Sequence, residues 1–144
     1  MQQRSQECCK YVRVYAYVSK KVLSGLDEVI ERLNLLLPNP SNLVLVAESQ
    51  KANGLLAWLA AERRLILESG LKFEVVGLVV DENARRSGVG RRLVQDAEQW
   101  VFDQSGRDIV VRSNVLRPES HGFYESLGYI RKKSQHVYSK RLPD

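Results

Sequence analysis

The stretch from Phe73 to Val101 constrains the fold of this chain most strongly, because an apolar run, a glycine-containing loop and an amphipathic run follow one another without a break. Phe73 to Val80 is the most apolar segment, which predicts a buried strand. The charged loop Asp81 to Ser87 then leads into Gly88-Val89-Gly90. A helix is predicted next, since apolar residues recur at every fourth position: Val89, Leu93, Ala97 and Val101.

Patterns on either side of this unit continue the alternation of strands and helices. Apolar runs predict further strands at Tyr11 to Val18, Leu43 to Glu48, Leu55 to Ala61, Ile109 to Arg112, Tyr129 to Ile130 and Gln135 to Leu142. Helical spacing predicts helices at Val22 to Leu37, before Pro38, and at Pro118 to Leu127, before Gly128. Asn53-Gly54 predicts an antiparallel hairpin. The order β-α-β-β-β-α-β-α-β-β predicts an α/β or α+β class with a mixed sheet flanked by helices.

Length and composition predict one globular domain spanning residues 1–144. The chain has 144 residues, of which 44% are hydrophobic and 27% charged. No apolar run is long enough to cross a bilayer, and the polar N-terminus lacks the apolar core of a signal peptide. We therefore expect no membrane partner and a cytoplasmic location.

The cysteines and the charge narrow the possible partners. Cys8 and Cys9 are adjacent, so a disulfide between them would be strained, and His121 and His136 lie too far along the chain to suggest a metal site. The net charge of +5 fits an acidic ligand such as a phosphorylated cofactor, or nucleic acid. No helix-turn-helix or aromatic RNA-binding motif supports the second alternative, and we expect no nucleic-acid partner.

The glycine loop has the composition of a phosphate-binding turn. A helix N-terminus presents unpaired N–H groups and about half a positive charge, and glycines allow a ligand to approach the backbone closely. Arg85, Arg86, Arg91 and Arg92 add positive charge around it. A Walker loop is excluded because its Gly-Lys-Ser/Thr ending is missing, and the dinucleotide fingerprint is excluded because Leu93 stands where its third glycine belongs.

One phosphate-loop pattern does fit: Gln or Arg, two residues, Gly, one residue, then Gly or Ala, matched by Arg85, Gly88 and Gly90. With this loop, the preceding strand and the later run His121-Gly122-Phe123-Tyr124-Glu125-Ser126-Leu127-Gly128-Tyr129, the chain resembles the GNAT superfamily of N-acetyltransferases. The order of predicted elements is also that of the family. The resemblance implies a mostly antiparallel central sheet that splays between its fourth and fifth strands.

The resemblance implies how the cosubstrate, acetyl-CoA, is held. In the family it lies where the two strands splay, and its pantetheine arm pairs with the backbone of the fourth strand, here Leu78, Val79 and Val80. Its pyrophosphate would be held by the loop and the first helical turn, which comprise Arg85, Arg86, Ser87, Gly88, Val89, Gly90 and Arg91.

Two catalytic residues are implied as well. Tyr124 occupies the position of the family's proton donor, and a phenol with a pKa near 10 can protonate a departing thiolate; the alternative is that Tyr124 only packs beside Phe123. Glu74 occupies the position of a general base in histone-type members. Burial would raise its pKa toward neutral, as a base requires; the alternative, given equal weight, is an exposed carboxylate at the end of the strand.

Further site residues follow from the stretch before Tyr124. Many members bind the pantetheine arm through an asparagine seven residues before the tyrosine, where this chain has Arg117. Asn114, ten residues before, matches a longer spacing of some bacterial members and is the better candidate, while the role of Arg117 stays open. Ser120 stands where small residues approach the cofactor. His121 is interpreted as a residue of the helix surface.

The implied reaction is direct attack of a primary amine, from a small molecule or a peptide, on the thioester without a metal. A non-catalytic acyl-CoA-binding module of the same fold is the alternative. The family builds its acceptor site from the first helix and a strand hairpin, and these carry no diagnostic feature here. The resemblance also allows a homodimer.

Overall fold

A computed structural model describes residues 26–49 and 54–144 of the chain. Its elements are helix α1 (Leu26–Leu36), strands β1 (Asn42–Glu48), β2 (Leu55–Ile66) and β3 (Gly70–Val80), a short 3-10 turn (Glu82–Ala84), helix α2 (Val89–Asp103), strand β4 (Val110–Val111) and helix α3 (Pro118–Ser126). The chain forms two compact units, which meet in sequence between Val111 and Arg112 and are described separately.

The first unit contains a four-stranded mixed sheet in the order β1-β2-β3-β4. The first three strands are antiparallel, and β4 runs parallel to β3. From Leu55 to Glu62, strand β2 alternates between buried and half-buried side chains because successive residues of a strand point to opposite faces. Its buried side chains are Leu55, Ala57, Leu59 and Ala61. The predicted α/β class with a mixed sheet flanked by helices is confirmed.

Helix α2 buries its apolar stripe within the first unit. The buried side chains of this stripe are Leu93, Val94, Ala97 and Val101. The Trp100 ring of the same helix contacts the Phe73 ring of β3 in edge-to-face geometry, with 5.5 Å between the ring centroids. Full burial of one large apolar side chain contributes about 1.5–3 kcal/mol, so this stripe fixes α2 firmly in place. The start of α2, where the predicted phosphate loop ends, is therefore a rigid position.

Helix α1 packs through a second apolar cluster. Val29 and Leu33 are buried with Leu55, and Ile30, Leu37, Val44 and Val46 pack around them. The helix ends at Leu36, one residue before the predicted end at Leu37 and two residues before Pro38. None of the described helices is long and apolar enough to span a bilayer.

Several predicted boundaries change in the structure. Strand β2 continues five residues beyond Ala61 to Ile66, and β4 is confined to Val110–Val111 rather than Ile109 to Arg112. The antiparallel pairing of β1 and β2 is confirmed. The predicted strand Tyr11 to Val18, the start of the first helix, the adjacent cysteines and Asn53 lie outside the described residues.

The structure corrects the prediction of two strands near the C-terminal end of the sequence. Tyr129 to Ile130 and Gln135 to Leu142 form no strand in the structure, and Ile130, Val137 and Tyr138 are exposed. Their composition favours extended backbone, but a strand also needs a neighbour that accepts and donates its ladder hydrogen bonds. None of the strands of the described sheet pairs with either segment.

Candidate functional site

The C-terminal half of β3 has an open edge. Pairing with β4 is limited to Glu74 with Val110 and Val75 with Val111. Farther along β3, Leu78, Val79 and Val80 pair with β2 on one side, and none of the strands in the described ranges pairs with them on the other. An open strand edge presents N–H and C=O groups that an extended ligand can use. The three residues predicted to pair with the pantetheine arm lie at this edge.

A bulge and a tryptophan shape the strand just before this edge. Gly77 pairs with Ala60 and Val75 with Ala61, so Val76 is an extra residue that bulges from β3. A Cβ on Gly77 would lie 2.7 and 2.8 Å from the Cζ3 and Cη2 atoms of Trp58. Only glycine permits this approach. A glycine within a strand often marks either a bulge or a close approach of another group to the backbone, and both occur here.

The loop after β3 is held by its own short-range hydrogen bonds. The Asp81 N–H donates to the Leu56 carbonyl oxygen at 2.7 Å, and the Asp81 carboxylate accepts from the Asn83 N–H at 3.0 Å. The Ser87 hydroxyl donates to the Ala84 carbonyl oxygen. These bonds fix the path of the backbone from the end of β3 to the start of α2. The Ser87 N–H also donates to the Ala84 carbonyl oxygen, at 3.4 Å, so both donors of Ser87 support the loop in this structure.

Two residues of this loop adopt left-handed backbone conformations. Arg86 has φ 62° and Gly88 has φ 85°. Gly88 is the residue that caps α2, and it has no side chain to bond the first N–H groups of the helix. A non-glycine residue in this region costs about 1 kcal/mol or more, so the conformation of Arg86 is strained. Strained backbone of this kind is common where a loop presents its amides to a ligand.

The charges at the start of α2 favour an anion. The first turn contains no acidic residue, although carboxylates there would stabilise the helix. It contains Arg91 and Arg92 instead, and Arg85 and Arg86 lie on the loop before it. Arg92 pairs with Asp96, with 3.0 Å between Nε and Oδ1, whereas Arg85, Arg86 and Arg91 are exposed. Cations beside a helix N-terminus make a favourable environment for a phosphorylated ligand.

Glu74 lies in the first half of β3 and is buried, with 7% of its surface exposed. Its carboxylate pairs with the Arg64 guanidinium of the neighbouring strand, and the Arg64 Nε also lies 2.9 Å from Glu62 Oε1. The sequence allowed two interpretations of Glu74, and the structure excludes the one in which it is an exposed carboxylate at the end of the strand. The assignment of Glu74 as a general base stays a prediction.

Tyr124 lies on α3 in the second unit, between two other aromatic rings. Its ring contacts Phe123 and Tyr129 in edge-to-face geometry, with centroid distances of 5.1 and 5.7 Å. Burial raises the pKa of the Tyr124 phenol above its ordinary value of 10. The phenol therefore keeps its proton at neutral pH and can donate it.

The loop before α3 places Asn114 in a turn. The Asn114 side-chain oxygen accepts from the Leu116 N–H at 2.9 Å, and its backbone carbonyl accepts from the Arg117 N–H at 3.0 Å. The Nε2 of His121 lies 2.8 Å from the same carbonyl oxygen. Ser120 is half-buried, and its N–H donates to the Arg117 carbonyl oxygen at 3.1 Å.

The sequence did not reveal the hydrogen bond that His121 makes in this region. It was interpreted as a surface residue of the helix, yet it bonds the backbone of a predicted binding residue. The spacing of seven residues between Asn114 and His121, across a turn and the start of a helix, is the only signal that pointed to this contact. Within the described ranges, no three His, Cys, Asp or Glu side chains are grouped so as to hold a metal ion.

An open strand edge followed by a cation-rich helix N-terminus is the arrangement with which α/β proteins bind phosphorylated ligands. The family model of the acetyltransferase (GNAT) domain matches residues 40–131, and the chain belongs to this family. The resemblance stated from the sequence is thereby confirmed.

A curated relative and two solved structures show how far the similarity extends. The chain is 34% identical over 97 residues to glucosamine 6-phosphate N-acetyltransferase 1 of Oryza sativa subsp. japonica; the match covers 65% of this chain and spans 56% of the length of that relative. Glucosamine-6-phosphate N-acetyltransferase from Arabidopsis thaliana shares the fold with a TM-score of 0.76 and 16% identity, over 90% of each chain. An aminoglycoside 6'-N-acetyltransferase from Acinetobacter haemolyticus shares it with a TM-score of 0.72 and 24% identity, over 83% of this chain and 84% of that one.

Proposed function

We propose that this chain is an acetyl-CoA-dependent N-acetyltransferase that acetylates a primary amine of a small molecule. The observation that carries the proposal is the start of α2, where exposed arginines, a left-handed Gly88 and an uncapped helix N-terminus follow the open edge of β3. Membership of the GNAT family supports the same function independently. The proposed donor is acetyl-CoA, and no metal is needed for the reaction.

The first unit supplies the groups proposed to hold the donor. The free backbone edge at Leu78, Val79 and Val80 pairs with the amide groups of the pantetheine arm. The backbone amides of the loop and the first helical turn bind the pyrophosphate, and the Arg85 and Arg91 side chains add positive charge. These amides belong to Arg86, Ser87, Gly88, Val89, Gly90 and Arg91. Because the loop backbone is fixed by its own hydrogen bonds, little ordering is needed when the ligand binds.

Tyr124 is the proposed proton donor, and Asn114 and Ser120 are proposed to contact the cosubstrate. Tyr124 Oη holds the proton that passes to the sulfur when the C–S bond of the thioester breaks and the C–N bond of the amide forms. The raised pKa of Tyr124 keeps this proton in place at neutral pH. Asn114 donates its side-chain amide to the pantetheine arm, and Ser120 allows the cofactor to approach α3.

A base must remove a proton from the acceptor ammonium before its nitrogen can attack. Glu74 is proposed for this role because it is a buried carboxylate on the donor-binding strand. Its ion pair with Arg64 also holds the carboxylate in one position. The pH–rate experiment given below tests this role.

The acceptor is proposed to be an amino sugar. The rice relative, at 34% identity over 97 residues, acetylates glucosamine 6-phosphate according to its name, and the related fold of the aminoglycoside acetyltransferase is compatible with such an acceptor. A peptide amine is the alternative acceptor, and the proposed cellular location is the cytoplasm. A homodimer is compatible with the family.

The decisive experiment combines binding with turnover. Calorimetric titration with acetyl-CoA and with CoA measures donor affinity. Release of free thiol is then followed with glucosamine 6-phosphate, aminoglycosides, polyamines and lysine peptides in turn. We expect micromolar donor affinity and turnover with at least one amino sugar. Donor binding without turnover on any amine would favour the acyl-CoA-binding module instead, and absence of donor binding would refute both.

A further inference from the structure

The contact between His121 and Asn114 has a defined donor and acceptor. The two atoms, His121 Nε2 and the Asn114 backbone oxygen, are 2.8 Å apart. A carbonyl oxygen can only accept, so His121 Nε2 carries the proton. Both the neutral Nε2–H tautomer and the imidazolium donate from this atom, so the hydrogen bond is compatible with either form of the ring.

Three hydrogen bonds together fix Asn114. Its backbone oxygen accepts from His121 and from the Arg117 N–H, and its side-chain oxygen accepts from the Leu116 N–H. The last bond fixes the plane of the side-chain amide, because that oxygen must face the turn. The Nδ2 donors of the same amide take part in none of these three bonds, so the turn holds them in a set direction.

We propose that His121 is a positioning residue for Asn114. By holding the Asn114 amide in its binding orientation, His121 sets the affinity for the pantetheine arm. This inference rests on the proposed function, since Asn114 is the arm-binding residue there. Of the three bonds to Asn114, only the one from His121 comes from a side chain of α3. His121 thus ties the Asn114 turn to the helix that also carries Tyr124.

The proposal makes His121 a positioning residue and not the general base of the reaction. Its Nε2 proton is engaged with a carbonyl while its Nδ1 atom can still accept a proton, so the pH profile of the reaction distinguishes the two roles. Holding Asn114 needs no change of protonation. The pH dependence of kcat/KM is therefore expected to be the same in a variant that keeps a donor at this position. A catalytic base would instead leave a profile that loses its acidic limb when the imidazole is replaced.

Two substitutions separate donation from packing. His121→Gln keeps an N–H donor at a similar reach, whereas His121→Phe keeps a planar ring without a donor. We expect His121→Phe to weaken acetyl-CoA binding about fivefold, the effect of one lost hydrogen bond. His121→Gln is expected to bind within about twofold of the unmodified chain, and kcat at saturating acetyl-CoA to change little in either variant. Equal losses in both variants, at unchanged Tm, would overturn the proposal.

A double-mutant cycle tests whether His121 acts through Asn114. If it does, His121→Phe weakens binding in the unmodified chain but adds no further loss in the Asn114→Ala background. Additive losses would show that the two residues act independently and would overturn the proposal.

Hydrogen exchange distinguishes this inference from the proposed function on which it rests. We expect the Leu116 and Arg117 amides to exchange faster in His121→Phe than in His121→Gln, because the turn loosens without the tie to α3. Unchanged exchange in both variants overturns the positioning role whatever the ligand. If the unmodified chain binds no acetyl-CoA, the proposed function fails, and the tie between His121 and Asn114 is judged on exchange alone.

Discussion

The ring of Trp58 lies against the backbone of Gly77, so that a Cβ on residue 77 would fall 2.7 Å from the Cζ3 atom of the ring. Gly77 directly precedes the open edge of β3, and Val79 pairs with Trp58 across the sheet. The tryptophan therefore braces the strand that carries the backbone proposed to bind the donor. The indole Nε1 of Trp58 is buried and has no hydrogen-bond partner among the described residues.

Gly77→Ala tests this brace. We expect the free energy of unfolding to fall by about 1–3 kcal/mol, because the added methyl group must displace a packed ring or shift the strand. Urea unfolding monitored by tryptophan fluorescence measures the change. Gly122→Ala is the matched control, since a Cβ there meets nothing within 4 Å and lies on a helix, where alanine is favoured. Equal stability of the two variants would contradict the bracing role.

Gly88→Ala tests the donor loop. Gly88 has φ 85°, and an added Cβ would meet no atom within 4 Å, so the substitution acts through backbone strain alone, at a cost of about 1 kcal/mol. Relief of that strain rotates the amides proposed to bind the pyrophosphate. We expect acetyl-CoA affinity, measured by calorimetry, to fall about tenfold.

The control for this loop variant is Gly70→Ala at the turn between β2 and β3. Gly70 has φ 71° and the same open surroundings, so its substitution imposes a similar strain away from the loop. We expect the two variants to lose similar stability, with only Gly88→Ala losing donor affinity. A similar loss of affinity in Gly70→Ala would mean that general destabilisation, and not the loop, accounts for the effect.

Tyr124→Phe tests the proton donor. We expect kcat to fall by about two orders of magnitude or more, the usual size of a general-acid contribution, while the Kd for acetyl-CoA changes little. Because burial raises the pKa of Tyr124, the phenol stays protonated through neutral pH, and its deprotonation should inhibit the unmodified enzyme only above pH 10. Turnover that survives the substitution would leave Tyr124 with a packing role beside Phe123.

The sign of this pKa shift also predicts an effect on stability. When folding raises the pKa of a tyrosine, its contribution to the free energy of unfolding is complete at pH values below the pKa of the unfolded state. This contribution is lost as the pH rises through the pKa of the folded state. We therefore expect the Tm of Tyr124→Phe to fall less between pH 9 and 11 than that of the unmodified chain. Parallel Tm curves for the two proteins would argue against the burial of this phenol.

Glu74→Gln tests the general base, with Glu62→Gln as its control. Both carboxylates pair with Arg64, but Glu74 is the more buried, with 10% of its side chain exposed against 31% for Glu62. If Glu74 is the base, its substitution removes the acidic limb of the kcat/KM profile, and Glu62→Gln retains it. An acidic limb that persists in Glu74→Gln would assign the base to another group.

Much of the fold could be predicted from local patterns. The apolar runs of β2 and β3 and the every-fourth-residue stripe of α2 each follow from the geometry of a single element. The late strands were predicted from the same kind of pattern and are wrong in this structure. Extended propensity is a local property, whereas a strand exists only where another strand pairs with it.

The sequence by itself determined the elements from α1 to α3, the glycine loop from Arg85 to Gly90 and, through them, the family. These are decided by residue type and spacing within a few positions, which is where backbone conformation and helix periodicity act. Only the tertiary structure decided the open edge of β3, the Trp58–Gly77 approach, the Arg64–Glu74 ion pair and the tie between His121 and Asn114. Each depends on strand register or on the path of a turn, which residue type and periodicity within a single element do not specify.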